Sequence, residues 1–112
     1  MRRTRTTVCP PSRVHSRVRA DLRIRVAIFE QSIPRIVHAR LNDISRGGAN
    51  VLMPRELPEG SHAVIGLRDP RCDGRYLWFR SRLRHRAGFC CGFEFLDINP
   101  EQKSLLRELC LE

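Results

Sequence analysis

Lysine is almost missing from this chain: Lys103 is the only one among 21 basic residues. The cationic side is therefore arginine, whose planar fork of donors suits phosphates and guanine edges better than an ammonium does. No stretch of 18 or more apolar residues exists, which excludes a membrane-spanning helix. The basic opening Met1-Arg2-Arg3-Thr4-Arg5-Thr6-Thr7-Val8 is followed by no apolar segment, so no secretory signal is read there. There is no C-x-x-C pair, and His62 lies far from any cysteine pair at finger spacing, which argues against a zinc site. No Ser-His-Asp arrangement, no paired catalytic carboxylates and no P-loop can be found, so neither an enzyme nor a cofactor is expected. Internal repeats and low-complexity segments are absent as well.

What is present fits one small domain. The chain has 112 residues, 41% of them hydrophobic, enough for a single core. Its formal net charge is +9, unevenly spread. Residues 1–25 hold eight arginines against one acid, Asp21, while the remainder is nearly balanced. A positive field on an N-terminal arm favours an anionic partner. The five cysteines form an odd set; without a signal segment they are expected to be reduced thiols of a cytoplasmic protein.

Residues 1–12 read as a flexible basic arm, because Pro10-Pro11 stops any regular element from starting there. From Leu22 the pattern turns period-two: Leu22, Ile24, Val26 and Ile28 alternate with Arg23, Arg25, Ala27 and Phe29. Val37, Ala39 and Leu41 give a second strand that runs into Asp43. Short strands follow over residues 49–53 and 62–67, then a long one over 76–86 with Leu77, Phe79, Ser81 and Leu83 on one face. Ala87-Gly88 reads as a hairpin turn into a sixth strand over 89–96, with Phe89, Cys91, Phe93 and Phe95 sharing a face. Asn99-Pro100-Glu101-Gln102 is a helix start, with Asn99 as N-cap and Gln102 placed to complete a capping box. Leu105, Leu106, Leu109 and Cys110 make that helix's apolar stripe. The pattern predicts an all-β fold: a small six-stranded antiparallel barrel over residues 13–112 with a C-terminal α-helix.

Two short patterns carry chemistry. Arg13-Val14-His15-Ser16-Arg17 is R-x-x-x-R, and Asp43-Ile44-Ser45-Arg46-Gly47-Gly48 is D-x-S-x-x-G. The first spacing occurs five times in this arginine-rich chain, against about three or four by chance, so its weight comes from its place before the first strand. The second occurs once, against about 0.03 expected copies. It can equally be a β-turn with Asp43 or Ser45 bonding local backbone. At the barrel mouth, the Asp43 carboxylate can accept from the N1–H and N2 amine of a guanine at once. Ser45 adds a hydroxyl, Gly48 lets a backbone come close, and Arg13 or Arg17 can bond guanine O6 and N7, pair with phosphate or stack on a purine. Arg80, Arg82 and Arg84 with Trp78 form an alternative stripe of the kind single-stranded nucleic acids use, which is weighed as the lesser reading.

Together the two motifs, the Gly92-Phe93-Glu94-Phe95 strand and the closing helix resemble the PilZ domain, a bacterial receptor module for cyclic di-GMP. The resemblance implies ligand binding by Arg13, Arg17, Asp43, Ser45 and Gly48, and output through a protein partner, since no second domain is seen. It departs mildly from the family pattern: many members open the first motif with adjacent arginines, where Ser12 precedes Arg13 and Val14 follows it here. Nucleic acid is not the ligand the resemblance implies.

Overall fold

A computed structural model of the chain describes residues 18–30 and 32–110. It holds six strands and one helix: β1 (Val18–Glu30), β2 (Ile33–Ile44), β3 (Gly48–Leu52), β4 (His62–Arg68), β5 (Tyr76–Ala87), β6 (Cys90–Phe95) and α1 (Pro100–Leu109). The strands close into a barrel in the order β1-β2-β3-β6-β5-β4, every neighbouring pair antiparallel. Closure pairs strands that would otherwise end as open edges in so small a sheet.

The period-two pattern decides what goes inside. Ile24, Val26 and Ile28 of β1, Leu41 of β2, Val51 of β3, Ile65 and Leu67 of β4, Phe79 and Leu83 of β5, and Phe93 of β6 fill the interior. Their alternates Arg23, Arg25, Arg40, Trp78, Arg80 and Arg84 face out. Phe79 and Phe95 meet with ring centroids 4.9 Å apart, a spacing at which two aromatic rings attract beyond simple burial.

The helix begins as its sequence predicts. The Asn99 side chain accepts from the Gln102 N–H, and the Gln102 side chain accepts from the Asn99 N–H, both at 2.8 Å. The Gln102 amide also donates to the Trp78 carbonyl at 2.7 Å, which ties the first turn to β5. Leu105 and Leu106 are buried against the barrel, each contributing about 1.5–3 kcal/mol by transfer from water. Cys110 at the far end lies under the β2 terminus, its thiol 3.8 Å from the Ile44 carbonyl. The loop between β4 and β5 holds the helix from the side: Arg71 bonds Asp69 and Ser104, and Arg75 pairs with Glu101.

Three details differ from the sequence reading. β1 and β2 extend beyond their predicted starts, to Val18 and Ile33, because they pair with each other along almost their whole length. Phe89 sits in the β5–β6 turn and is half exposed, rather than on the buried face of β6. Cys90 is disulfide-bonded, which corrects the expectation of uniformly reduced thiols. Cys72, Cys91 and Cys110 are free.

Candidate functional site

Strict alternation from Ala39 and Leu41 would send Asp43 into the barrel. Instead the β2–β3 register shifts between Leu41 and Asp43, leaving Asn42 as the extra residue. A bulge of this kind re-aims the side chains that follow it. Ile44 takes the core position, and Asp43 turns outward, half-buried, one residue before β2 ends.

Asp43 faces Asn50 across the β2–β3 pair. The Asn50 amide donates to it, 3.1 Å from one carboxylate oxygen and 3.4 Å from the other. Asn50 lies between the core residues Ala49 and Val51 and so belongs to the outer face, yet it is wholly buried. The carboxylate is thus held in one orientation by a side chain that cannot swing into solvent.

The turn after Asp43 is built by Ser45, which is 2% exposed. Its N–H donates to the Gly48 carbonyl at 2.9 Å. Its hydroxyl accepts from the Gly47 N–H at 3.3 Å and reaches the same carbonyl at 3.4 Å. Gly48 opens β3 where it passes closest to β6: a Cβ there would lie 2.1 Å from the Phe93 carbonyl oxygen. The glycine is therefore required by the sheet itself, in addition to any approach of a ligand. The D-x-S-x-x-G segment thus forms the local turn that its composition allows, with the Asp43 carboxylate at its entry held by Asn50.

Arg13 and Arg17 of the first motif, and His15 between them, lie outside the described residues. The barrel nevertheless fixes where the segment carrying them joins. Val18 pairs with Ile44 and Arg19 pairs with Asp43, so the residue following Arg17 is a strand neighbour of the turn.

The sequence reading missed three residues in the same band. Asn50 pairs with Gly92, and Gly92 pairs with His85. A second register shift, between Leu83 and His85, turns His85 onto the outer face. The signal in the sequence was weak, because a bulge breaks the alternation from which facing is read.

The arginine stripe on β5 is largely neutralised. Arg80 pairs with Asp97 at 2.9 Å and Arg84 with Glu94 at 3.4 Å. Trp78 lies over Gly66, next to the helix start. This is a salt-bridged sheet face, which weakens the nucleic-acid reading. Burial pushes the Cys91 thiol above its ordinary range, so it stays protonated and unreactive. Among the described residues, no group of three His, Cys, Asp or Glu is placed to hold a metal ion, and no helix is long and apolar enough to cross a membrane.

A family model described as the PilZ domain matches residues 11–112. Among solved structures, the PilZ domain of CeSA from a cellulose-synthesizing bacterium superposes with a TM-score of 0.64 at 27% identity, over 84% of this chain and 93% of that one. PlzA of Borreliella burgdorferi in complex with c-di-GMP gives 0.62 at 14% identity, over 87% of this chain and 40% of that one. YcgR of Escherichia coli in complex with c-di-GMP gives 0.62 at 21% identity, over 87% of this chain and 43% of that one. The chain thus spans less than half the length of the last two, and their likeness is one of fold. No curated protein gave a match.

Proposed function

This chain belongs to the PilZ family, and on that premise we propose that it is a cytoplasmic receptor for cyclic di-GMP, signalling to a protein partner through its N-terminal arm. In this reading the carboxylate of Asp43 takes the N1–H and N2 amine of one guanine. Ser45 and Gly48 shape the turn beneath it, and Arg13 and Arg17 close over the phosphates and purine edges. The arm that carries Arg13 and Arg17 is the segment whose position the ligand changes. Ligand can drive that change only by binding the closed arm more tightly than the open one.

One observation carries the proposal: the β1–β2 register makes Val18 a neighbour of Ile44 and Arg19 a neighbour of Asp43. Arginines just before Val18 are then joined to the barrel beside the carboxylate they are proposed to serve. The c-di-GMP complexes of the structural neighbours PlzA and YcgR support the choice of ligand.

Titration calorimetry tests it, with GTP and cyclic di-AMP as controls. A dissociation constant near or below about 1 µM, or about −8 kcal/mol, is expected for cyclic di-GMP alone. Folded protein at tens of micromolar that gives no heat would overturn the proposal.

A further inference from the structure

Three of the six exposed large apolar side chains among the described residues fall in one short stretch: Phe29, Ile33 and Ile36, each more than half exposed. That stretch is the far end of the β1–β2 hairpin. β4 pairs with β1 only over residues 25–28, so from Phe29 the hairpin runs on past its neighbour. The register sets Phe29 opposite Pro34 and Ala27 opposite Ile36. Val26 and Ile28 point into the core, so these four alternates share the outer face. Ala27 also faces Val64 of β4, which carries the apolar surface one strand further. Single exposed apolar residues are ordinary, but a contiguous group marks a surface made to be covered.

The charges around this patch are of one sign. The strand residues that form this wall of the barrel, 22–29, 33–42, 62–68 and 76–87, include no Asp or Glu. Arg68 and Arg80, further round, are met by the loop carboxylates of Asp73 and Asp97. Arg23 and Arg25, beside the patch on β1, make no ion pair among the described residues. The Arg25 guanidinium rests on the Tyr76 ring, 4.5 Å from its centroid, and Tyr76 in turn meets Trp78 at 6.2 Å. A guanidinium held on a ring keeps its charge and has less freedom to lose on binding. A second copy of this chain is a poor occupant, since two such faces would bring like charges together. A membrane is also a poor one: the leading residues of the hairpin, Glu30, Gln31 and Ser32, are polar and include an acid. Nucleic acid would engage the arginines through phosphate and leave Ile33 and Ile36 uncovered.

We propose that the face around the β1–β2 hairpin tip is a docking surface for a protein partner, and that its occupant is an acidic segment carrying apolar side chains. The apolar side chains cover Phe29, Pro34 and Ile36, and the carboxylates meet Arg23 and Arg25 at the rim. The inference rests on the receptor reading for the role of a partner, and it names the face that partner takes. That face lies at the other end of β1 from the ligand turn. Arg19 stands beside Asp43, and Phe29 is ten residues further on, about 33 Å along an extended strand. Ligand binding and docking are therefore separable by mutation.

A displayed library of random peptides tests this, panned on the full chain and counter-panned on the chain carrying Phe29→Ser with Ile36→Ser. Both replaced side chains are exposed, so that variant is expected to fold, and its melting curve checks this. The peptides retained are expected to be rich in Asp and Glu with Leu, Ile or Phe between them. A synthetic copy of the leading sequence should bind the parent and change the fluorescence of Trp78, the single tryptophan of the chain, which adjoins the face. Phe29→Ser with Ile36→Ser should weaken that binding about tenfold, as loss of central apolar anchors does. Arg23→Glu with Arg25→Glu should weaken it as well, and a copy of the peptide with Lys in place of its acids should bind this charge-reversed chain better than the parent. If the charge-reversed chain does not fold, the Phe29 and Ile36 variant decides. Affinity for cyclic di-GMP should be unchanged by Phe29→Ser with Ile36→Ser. No enrichment on the parent over the variant, or enrichment of basic or uncharged sequences, would overturn the proposal. So would capture of the chain by phosphatidylglycerol vesicles or by oligo-dT that depends on Phe29 and Ile36, or a parent dimer that the variant dissolves. Cyclic di-GMP binding without peptide selection would remove the docking surface alone, and peptide selection without cyclic di-GMP binding would remove the receptor reading alone.

Discussion

Asp43 has two roles that an alanine substitution would confuse. It is the acceptor of a wholly buried amide, that of Asn50, and it is the charge proposed to meet guanine. Removing it takes one acceptor from that buried amide, at a cost of about 1–3 kcal/mol of fold stability. Asp43→Asn separates the roles, since its side-chain oxygen can still accept from Asn50 while the charge is gone. Urea denaturation of Asp43→Asn is expected to fall within about 0.5 kcal/mol of the parent. Its affinity for cyclic di-GMP is expected to fall by roughly 1.5–3 kcal/mol, the worth of a hydrogen bond to a charged group. A variant as unstable as Asp43→Ala, binding normally once folded, would make Asp43 a turn residue only. Gly48→Ala cannot make this distinction, because its Cβ would strike the Phe93 carbonyl and disturb the sheet before any ligand is considered. Asp43 and Ser45 were legible in the sequence because a rare spacing marks them. Asn50 and His85 were not, because each is recognised only by the strand that lies opposite it.

At the scale of elements, alternation and capping were enough to read six strands and the helix. Val26, Leu41, Phe79 and Phe93 lie inside as their patterns predict, and Asn99 and Gln102 form the capping box. What alternation could not show were the shifts at Asn42 and beside His85, since an extra residue in one strand is visible only against its partner. The β4–β5 loop was legible only as a turn, and its role in holding α1 was not. That role has a pH signature. The Arg71 guanidinium, by its hydrogen bond, and then the Arg71 N–H hold the Asp69 carboxyl below its ordinary value of 3.8. A carboxyl lowered in the folded state contributes its stability in full above the ordinary value and loses it as pH falls through the folded value. Melting temperatures of the parent chain and Asp69→Asn should therefore differ at pH 6 and converge as the pH is lowered from about 4 toward 2. A gap that stays constant over that range would mean that Asp69 acts through packing, with no role for its charge.

For the molecule as a whole, the proposed function gives the barrel and the arm different work. The described body is closed, capped by a helix and laced on its outer β5 face by ion pairs such as Arg80 with Asp97 and Arg84 with Glu94. A body of that kind offers few alternatives of its own between which a ligand could choose. Residues 1–17, by contrast, carry five of the chain's arginines and no acid, a charge density that favours an anionic partner. If cyclic di-GMP switches this protein, the largest change should fall on residues 1–17, hinged at Val18 beside Ile44. Amide exchange measured with and without ligand checks this. Residues 1–17 are expected to gain protection on binding, while the core strands keep theirs. Arg17→Ala should remove that gain together with affinity, and Arg13→Ala should weaken binding. Loss of Arg2, Arg3 and Arg5 should act only through the general field and be masked by added salt, because exposed charges beyond about 8–10 Å are screened at moderate ionic strength. Equal protection of the arm in both states, with binding intact, would move the switch from the arm into the barrel. The row from Asp43 to His85, which crosses four strands, would then be the element to follow.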